Sequence, residues 1–342
     1  MLKRVLPFLI AFLILRLIFW FVTFPNPDEA YYWLWGKHPA LSYYDHPPFQ
    51  AWIQGLFTAL FGQSFFVLRL PNLISTGIFF YTYYQISNYL FEEEANDYFW
   101  ITIALILASP LYFLFLGLAW HDHWLITFSL GSSYLFIQFL DSYLVNQKEN
   151  TLLLYGSAVL LGLAFLCKYN AVFVGAGLIA TVISLPAARS LLRDRRFYIA
   201  ILIALSAFLP IVLWNFSNDF QSFRYYVTRS VDSDIHFRLK WMQVLLFLVF
   251  STLMVSPINL WAMVKAICYP TPEIRPDTVY RTVALWIFGI STASLAAIAL
   301  FSTALYYWNI TAYLLLFPLL PPLFLKPPTP KLQPPTPTLQ LF

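Results

Sequence analysis

The sequence predicts an all-α polytopic membrane protein: a helical bundle of about ten transmembrane helices with an interfacial helical first outer loop. Three observations predict it. The 342 residues are 60% hydrophobic and 11% charged, with a mean hydropathy of +0.68, where a soluble domain carries about 25% charged residues. The apolar residues gather into runs of spanning length divided by short polar turns. Most Lys and Arg fall on alternate turns, as expected if those turns face the cytoplasm.

The first span is expected to run to about Phe24, with Lys3 and Arg4 holding its start inside. It is too long for the core of a signal peptide, and no small-residue cleavage site follows, so it reads as retained. A polar stretch from Pro25 comes next, outside. Pro47–Gly62 is short and amphipathic at its start, in the manner of an interfacial helix. Further spans are expected over about Phe66–Leu90, Tyr98–Leu118, Leu125–Val145, Leu152–Leu166, Ala171–Pro186, Tyr198–Trp214, Val244–Val264, Val283–Ser302 and Ile310–Leu325. Residues 1–325 thus form one transmembrane domain. Residues 326–342, KPPTPKLQPPTPTLQLF, are Pro-rich without apolar period and read as a disordered cytoplasmic tail.

The net charge of +4 is spread over loops, which argues against a nucleic-acid partner. Cys167 and Cys268 have no metal or redox spacing and map near opposite faces, so no disulfide is expected. No Gly-rich phosphate loop is present, and no internal repeat supports a transporter, the alternative reading of such a chain (a flippase of lipid-linked sugars or another solute carrier). Some basic residues break the orientation rule: Lys37, Arg69, Lys168, Arg224, Arg229, Arg238 and Lys240 map outside, and Arg16 lies within the first span. Cations placed against that rule often meet an anion.

The polar groups concentrate on the same outer face. PNPDEAYYWLWGKHPALSYYDHPPFQ, residues 25–50, sets Asp28, Glu29, Asp45 and His46 among six Tyr and Trp rings and five prolines. Asp28 reads either as an N-cap for a helix starting at Glu29 or as a reactive carboxylate beside a second acid. Asp45-His46 reads as a plain turn or as part of the same site. Tyr31, Tyr32, Trp33 and Trp35 suit an interfacial belt and equally a platform for a sugar face. His121-Asp122-His123 admits a divalent cation, Mg or Mn, if its backbone is extended; residues at i and i+2 do not share a helical face. Lys168, at the mouth of an apolar hairpin, either snorkels or meets a phosphate.

At these residues the chain resembles bacterial family 39/83-type glycosyltransferases of the GT-C fold, relatives of protein O-mannosyltransferases and of the lipid A aminoarabinose transferase. DEAYYWLWGKHPALSYYDHPPF followed by FGQSFFVLRLPNLI carries the likeness. The turn with Asp122, GLAFLCKYNAVFVGAG, LPIVLWNFSNDFQSFRY and YYWNITAYLLLFPLL continue it in order. The resemblance implies a GT-C bundle in the plasma (inner) membrane, with its active site on the extracytoplasmic face. It also implies a polyprenyl-phosphate sugar donor, inversion at the anomeric carbon, and a glycan, lipid or protein acceptor. Asp28 matches the first acid of the family's Asp-Glu pair and Glu29 the second. Asp122 matches an acid of the second outer loop, and His46 stands where relatives often carry Lys. The chemistry is consistent with this reading. Asp28 would take the acceptor's proton, with Glu29 and Asp122 beside it. Arg69, Lys168 and Arg224 or Arg229 would face the leaving phosphate, with His46 near. Tyr31, Tyr32, Asp45 and His46 would line the sugar.

Overall fold

The computed structural model describes residues 2–91, 94–145, 150–230, 239–269 and 278–325, with the side chains of Leu2, Arg4, Val145, residues 226–230 and Thr278 left undescribed. The Arg229 side chain, Arg238 and the segment 326–342 therefore lie outside the described residues. Fifteen α-helices and several 3-10 turns are present among the described residues, and no strand. The chain is a multi-pass membrane protein. Val5–Val22, Phe65–Leu90 and Val279–Phe301 are long and apolar enough to cross a membrane, and three bent helix pairs raise that number to six.

The expected spans differ from the observed helices where proline intervenes. The span expected over Tyr98–Leu118 divides into α5 (Ala95–Leu107) and α6 (Pro110–Phe115), because Pro110 cannot continue the preceding helix. The one expected over Val244–Val264 turns by 96° between α13 (Trp241–Val255) and α14 (Pro257–Cys268). Ser256, at φ 82°, and Pro257 form that elbow. The helix α9 (Ala171–Ser184) likewise ends in a 111° bend into a 3-10 turn over Pro186–Arg193.

The final span departs most. No α-helix forms over residues 310–325. Instead 3-10 turns occupy Tyr306–Thr311, Phe317–Leu319 and Pro321–Leu323, with bonds such as Leu316 N to Tyr313 O and Leu320 N to Phe317 O. Pro318, Pro321 and Pro322 account for its C-terminal half, since each removes an N–H. Leu315's carbonyl, for example, has no donor three residues on. The Tyr280 hydroxyl donates to it instead, at 3.0 Å. Tyr83 donates to Leu314 O at 2.8 Å, and Tyr112 donates to Ile310 O. Away from water, such carbonyls must be satisfied by the protein itself. The segment is buried in the main apolar core with Phe79, Ile86, Phe139 and Ile287.

The elements that carry polar groups are short. α2 (Pro27–Gly36) and α3 (Phe49–Phe61) lie between the first two expected spans, and α3 covers most of the short helix expected over Pro47–Gly62. They cross backbone to backbone: a Cβ on Gly55 would lie 2.4 Å from Gly36 O, and one on Gly36 would lie 2.8 Å from Gly55 N. Gly55→Ala is therefore expected to push α2 off α3, at a cost of about 1–3 kcal/mol. A lower melting temperature in detergent checks this; an unchanged one would show that the crossing has slack.

Candidate active site

Two helix ends are tied together beneath α2. The helix α1 (Leu2–Val22) ends, as every helix does, with carbonyls that have acceptor capacity to spare. Arg69, from α4 (Phe65–Leu90), turns toward them: its Nη1 donates to Phe19 O at 2.9 Å, to Thr23 O at 3.2 Å and to Thr23 Oγ1 at 3.1 Å. The same guanidinium grips Glu29, Nε to Oε1 at 3.0 Å and Nη2 to Oε2 at 2.8 Å. Both side chains are fully buried.

Glu29 in turn closes a capping box. Asn26 Oδ1 accepts from Glu29 N at 2.9 Å, and Glu29 Oε2 accepts from Asn26 N at 3.1 Å. The N-cap is thus Asn26, with Pro27 at the first helical position. Of the two readings left open for Asp28, the helix cap is excluded. Glu29 and Arg69, expected beside the reacting groups and the phosphate, are instead bonded to each other. They satisfy each other in the interior. Asp28 is left exposed, with no hydrogen bond or ion pair among the described residues.

The turn at residues 118–120 is clamped to this assembly. Ala119 N donates to Glu29 Oε1 at 2.9 Å, while Ala119 O accepts from Gln50 Nε2 at 2.9 Å. Asn72 Nδ2 donates to Leu118 O at 2.6 Å, and Trp120 Nε1 donates to Asn26 Oδ1 at 3.2 Å. Two residues beyond this clamp, Asp122 meets Lys168, whose Nζ lies 2.8 and 3.0 Å from its two carboxylate oxygens. Lys168 follows α8 (Thr151–Cys167) and is itself buried, so it does not snorkel. Its Nζ also sits 4.9 Å from the ring centre of Tyr307, at the head of the 3-10 segment.

The carboxylates converge around Tyr32. Burial raises its phenol above the ordinary range, and the charges of Asp28, Asp122 and Asp45 raise it further. Asp28 itself is raised by partial burial, and the positive charge of Lys168 opposes that rise. Tyr31 donates to Asp45 at 3.4 Å and is pushed up to about 12, by burial first and then by Asp45. Residues from α2, the loop after it, and the turns at 120–122, 168 and 307 therefore make one site. Tyr32 is buried against His46 and His121.

His121, Asp122 and His123 open α7 (His121–Val145) and so are helical, not extended. They diverge. The His121 ring contacts Tyr32 at 4.1 Å and His46 at 4.4 Å between ring centres, whereas His123 Nδ1 lies 2.7 Å from Ser75 Oγ. With Asp122 on Lys168, the three do not converge on one ion. Among the described residues no group of three or more His, Cys, Asp or Glu side chains gathers into a metal site. On the open side, Tyr44 packs on Tyr225 of α12 (Gln221–Ser230) at 4.9 Å, and Arg224 beside it is exposed.

The fold is shared with a known transferase. ArnT from Cupriavidus metallidurans bound to undecaprenyl phosphate superposes with a TM-score of 0.62 at 16% identity, covering 92% of this chain and 59% of that one. The chain has the GT-C fold of ArnT. The apo form of the same ArnT gives a TM-score of 0.57 over 93% of the chain. A family model described as dolichyl-phosphate-mannose-protein mannosyltransferase matches residues 45–214. Lipid A galacturonosyltransferase RgtD of Rhizobium johnstonii is 26% identical over 288 residues, 84% of this chain and 58% of RgtD. This GT-C chain thus spans less than 60% of the length of those relatives. The family match begins after Asp28, so the role of that residue rests on its geometry.

Proposed function

We propose that the protein is an integral membrane glycosyltransferase. It moves a sugar from a polyprenyl-phosphate donor to a glycan, lipid or protein acceptor on the extracytoplasmic face of the inner membrane, with inversion. The observation that carries the reading is the gathering of Asp28, Asp45 and Asp122 around Tyr32 with Lys168 among them. An exposed, unspent carboxylate beside a buried cation suits a reaction in which a hydroxyl loses a proton while a phosphate gains charge.

In the proposed step the acceptor oxygen attacks the anomeric carbon from the face opposite the phosphate. The new C–O bond forms as the bond to the phosphate oxygen breaks, that electron pair leaves with the phosphate, and Asp28 takes the hydroxyl proton. Lys168, fixed by Asp122, opposes the growing phosphate charge, and Arg224 receives the donor on the open side. Tyr31, Tyr32, Asp45 and His46 line the sugar. The relatives' names support a lipid-borne donor and a lipid A-like acceptor, since ArnT binds undecaprenyl phosphate and RgtD acts on lipid A.

The test is mass spectrometry of lipid-linked sugars and envelope glycans with and without the gene. Accumulation of one polyprenyl-phosphate sugar together with loss of one glycan is expected; an unchanged profile overturns the reading. Because the reading gives charge neutralisation to Lys168 and Arg224 rather than to Mg or Mn, transfer is expected to survive EDTA. Loss with EDTA and recovery on adding Mg or Mn would assign an ion instead.

A further inference from the structure

His121 is 2% exposed, and neither of its ring nitrogens has a hydrogen-bond partner among the described residues. Orphaned buried polar atoms are uncommon in native proteins, and each costs about 1–3 kcal/mol. The ring sits edge-on to Tyr32 and against His46, contacts that a phenyl ring would keep without that cost. The imidazole precedes Asp122 at the start of α7, and the charges of Lys168 and His46 reach it. Its unpartnered nitrogens thus lie among the groups of the candidate site and not in the bundle's structural core.

From this placement we infer that His121 is a sugar-recognition residue, hydrogen-bonding hydroxyls of the transferred sugar when the donor enters past His46. The inference rests on the glycosyltransferase reading. The choice of sugar over phosphate follows from donor and acceptor matching. A neutral imidazole offers one N–H donor and one bare acceptor nitrogen, and a pair of hydroxyls can meet both. An ionised phosphate would leave the bare nitrogen facing an anion. The other titratable groups around the ring are His46, His123, Lys168, Asp122 and Tyr32, and Lys168 is the group suited to phosphate.

The test compares wild type with His121→Phe and His121→Gln by thermal shift in detergent. The ligands are undecaprenyl phosphate alone and undecaprenyl phosphate bearing galacturonic acid, aminoarabinose or mannose. Wild type is expected to gain stability from undecaprenyl phosphate and more from one sugar-bearing form. His121→Phe is expected to lose that extra gain, keep the gain from undecaprenyl phosphate, and melt unliganded at or above the wild-type temperature. His121→Gln, with a donor and an acceptor, is expected to restore part of the extra gain. Lower unliganded melting of His121→Phe would make the residue structural. Loss of the undecaprenyl-phosphate gain would make it a phosphate contact, and retention of every gain would give it no role. Any of these three overturns the inference and leaves the transferase reading standing. A wild type that responds to none of the ligands overturns the lipid-donor reading, and this inference with it.

Discussion

Asp28→Asn is expected to lower sugar transfer by about 10²–10⁴-fold, the range a positioned general base contributes, with no change in melting temperature. The two halves of this expectation have separate grounds. Asn keeps the size of the side chain but cannot accept the acceptor's proton. Asp28 is exposed and makes no hydrogen bond or ion pair among the described residues, so removing its charge costs the fold nothing. A variant that transfers sugar at near wild-type rate would sink the role given to Asp28.

The pH profile gives an independent check. A base must be ionised, so activity falls as pH drops through its pKa. Partial burial raises that value above the ordinary 3.8, and Lys168 opposes the rise. The acid limb of kcat/KM is therefore expected above pH 3.8. Removing the positive charge at position 168 should move the limb higher still.

Arg69→Met is expected to cost about 3–5 kcal/mol, because it leaves Glu29 buried without its counter-charge. The same change strips donors from the carbonyls of Phe19 and Thr23 at the end of α1. Loss of monodisperse protein in detergent, or a large fall in melting temperature, is the measurement. The double variant Glu29→Gln with Arg69→Met removes both charges and should recover part of the loss. If the double variant is no more stable than Arg69→Met alone, the damage comes from the freed carbonyls rather than from the stranded carboxylate.

The contrast between Asp28 and Glu29 shows how much of the site could be read in the chain. Both acids were legible as special, because acids among aromatic rings after an apolar run serve no purpose in a plain connecting turn. Their division of labour was not weighed, although its signal was present: Asn26-Pro27-Asp28-Glu29 has the spacing of a capping box, which claims the fourth residue and frees the third. The partner of Glu29 lies 40 residues on, and local patterning does not reach that far. Lys168 and Asp122 were each picked out by position, yet nothing local announced that they pair across 46 residues.

The spans were legible where apolar runs are unbroken, as in α1, α4 and α15 (Thr278–Phe301). They were misjudged where proline divides a run whose hydropathy remains high. Hydropathy reports depth in the membrane, and proline reports winding. Over residues 310–325 the two disagree, and proline decides.

That tightly wound segment also works as a tie between helices. Carbonyls of Leu314, Ile310 and Leu315 accept hydroxyls from α4, α6 and α15 respectively, so the segment and three separate helices hold one another in place. Tyr307 rides at its leading end against Lys168. Loosening residues 306–325 is thus expected to disturb the ring that stands beside Lys168, so the packing of that segment and the surroundings of the cation are coupled.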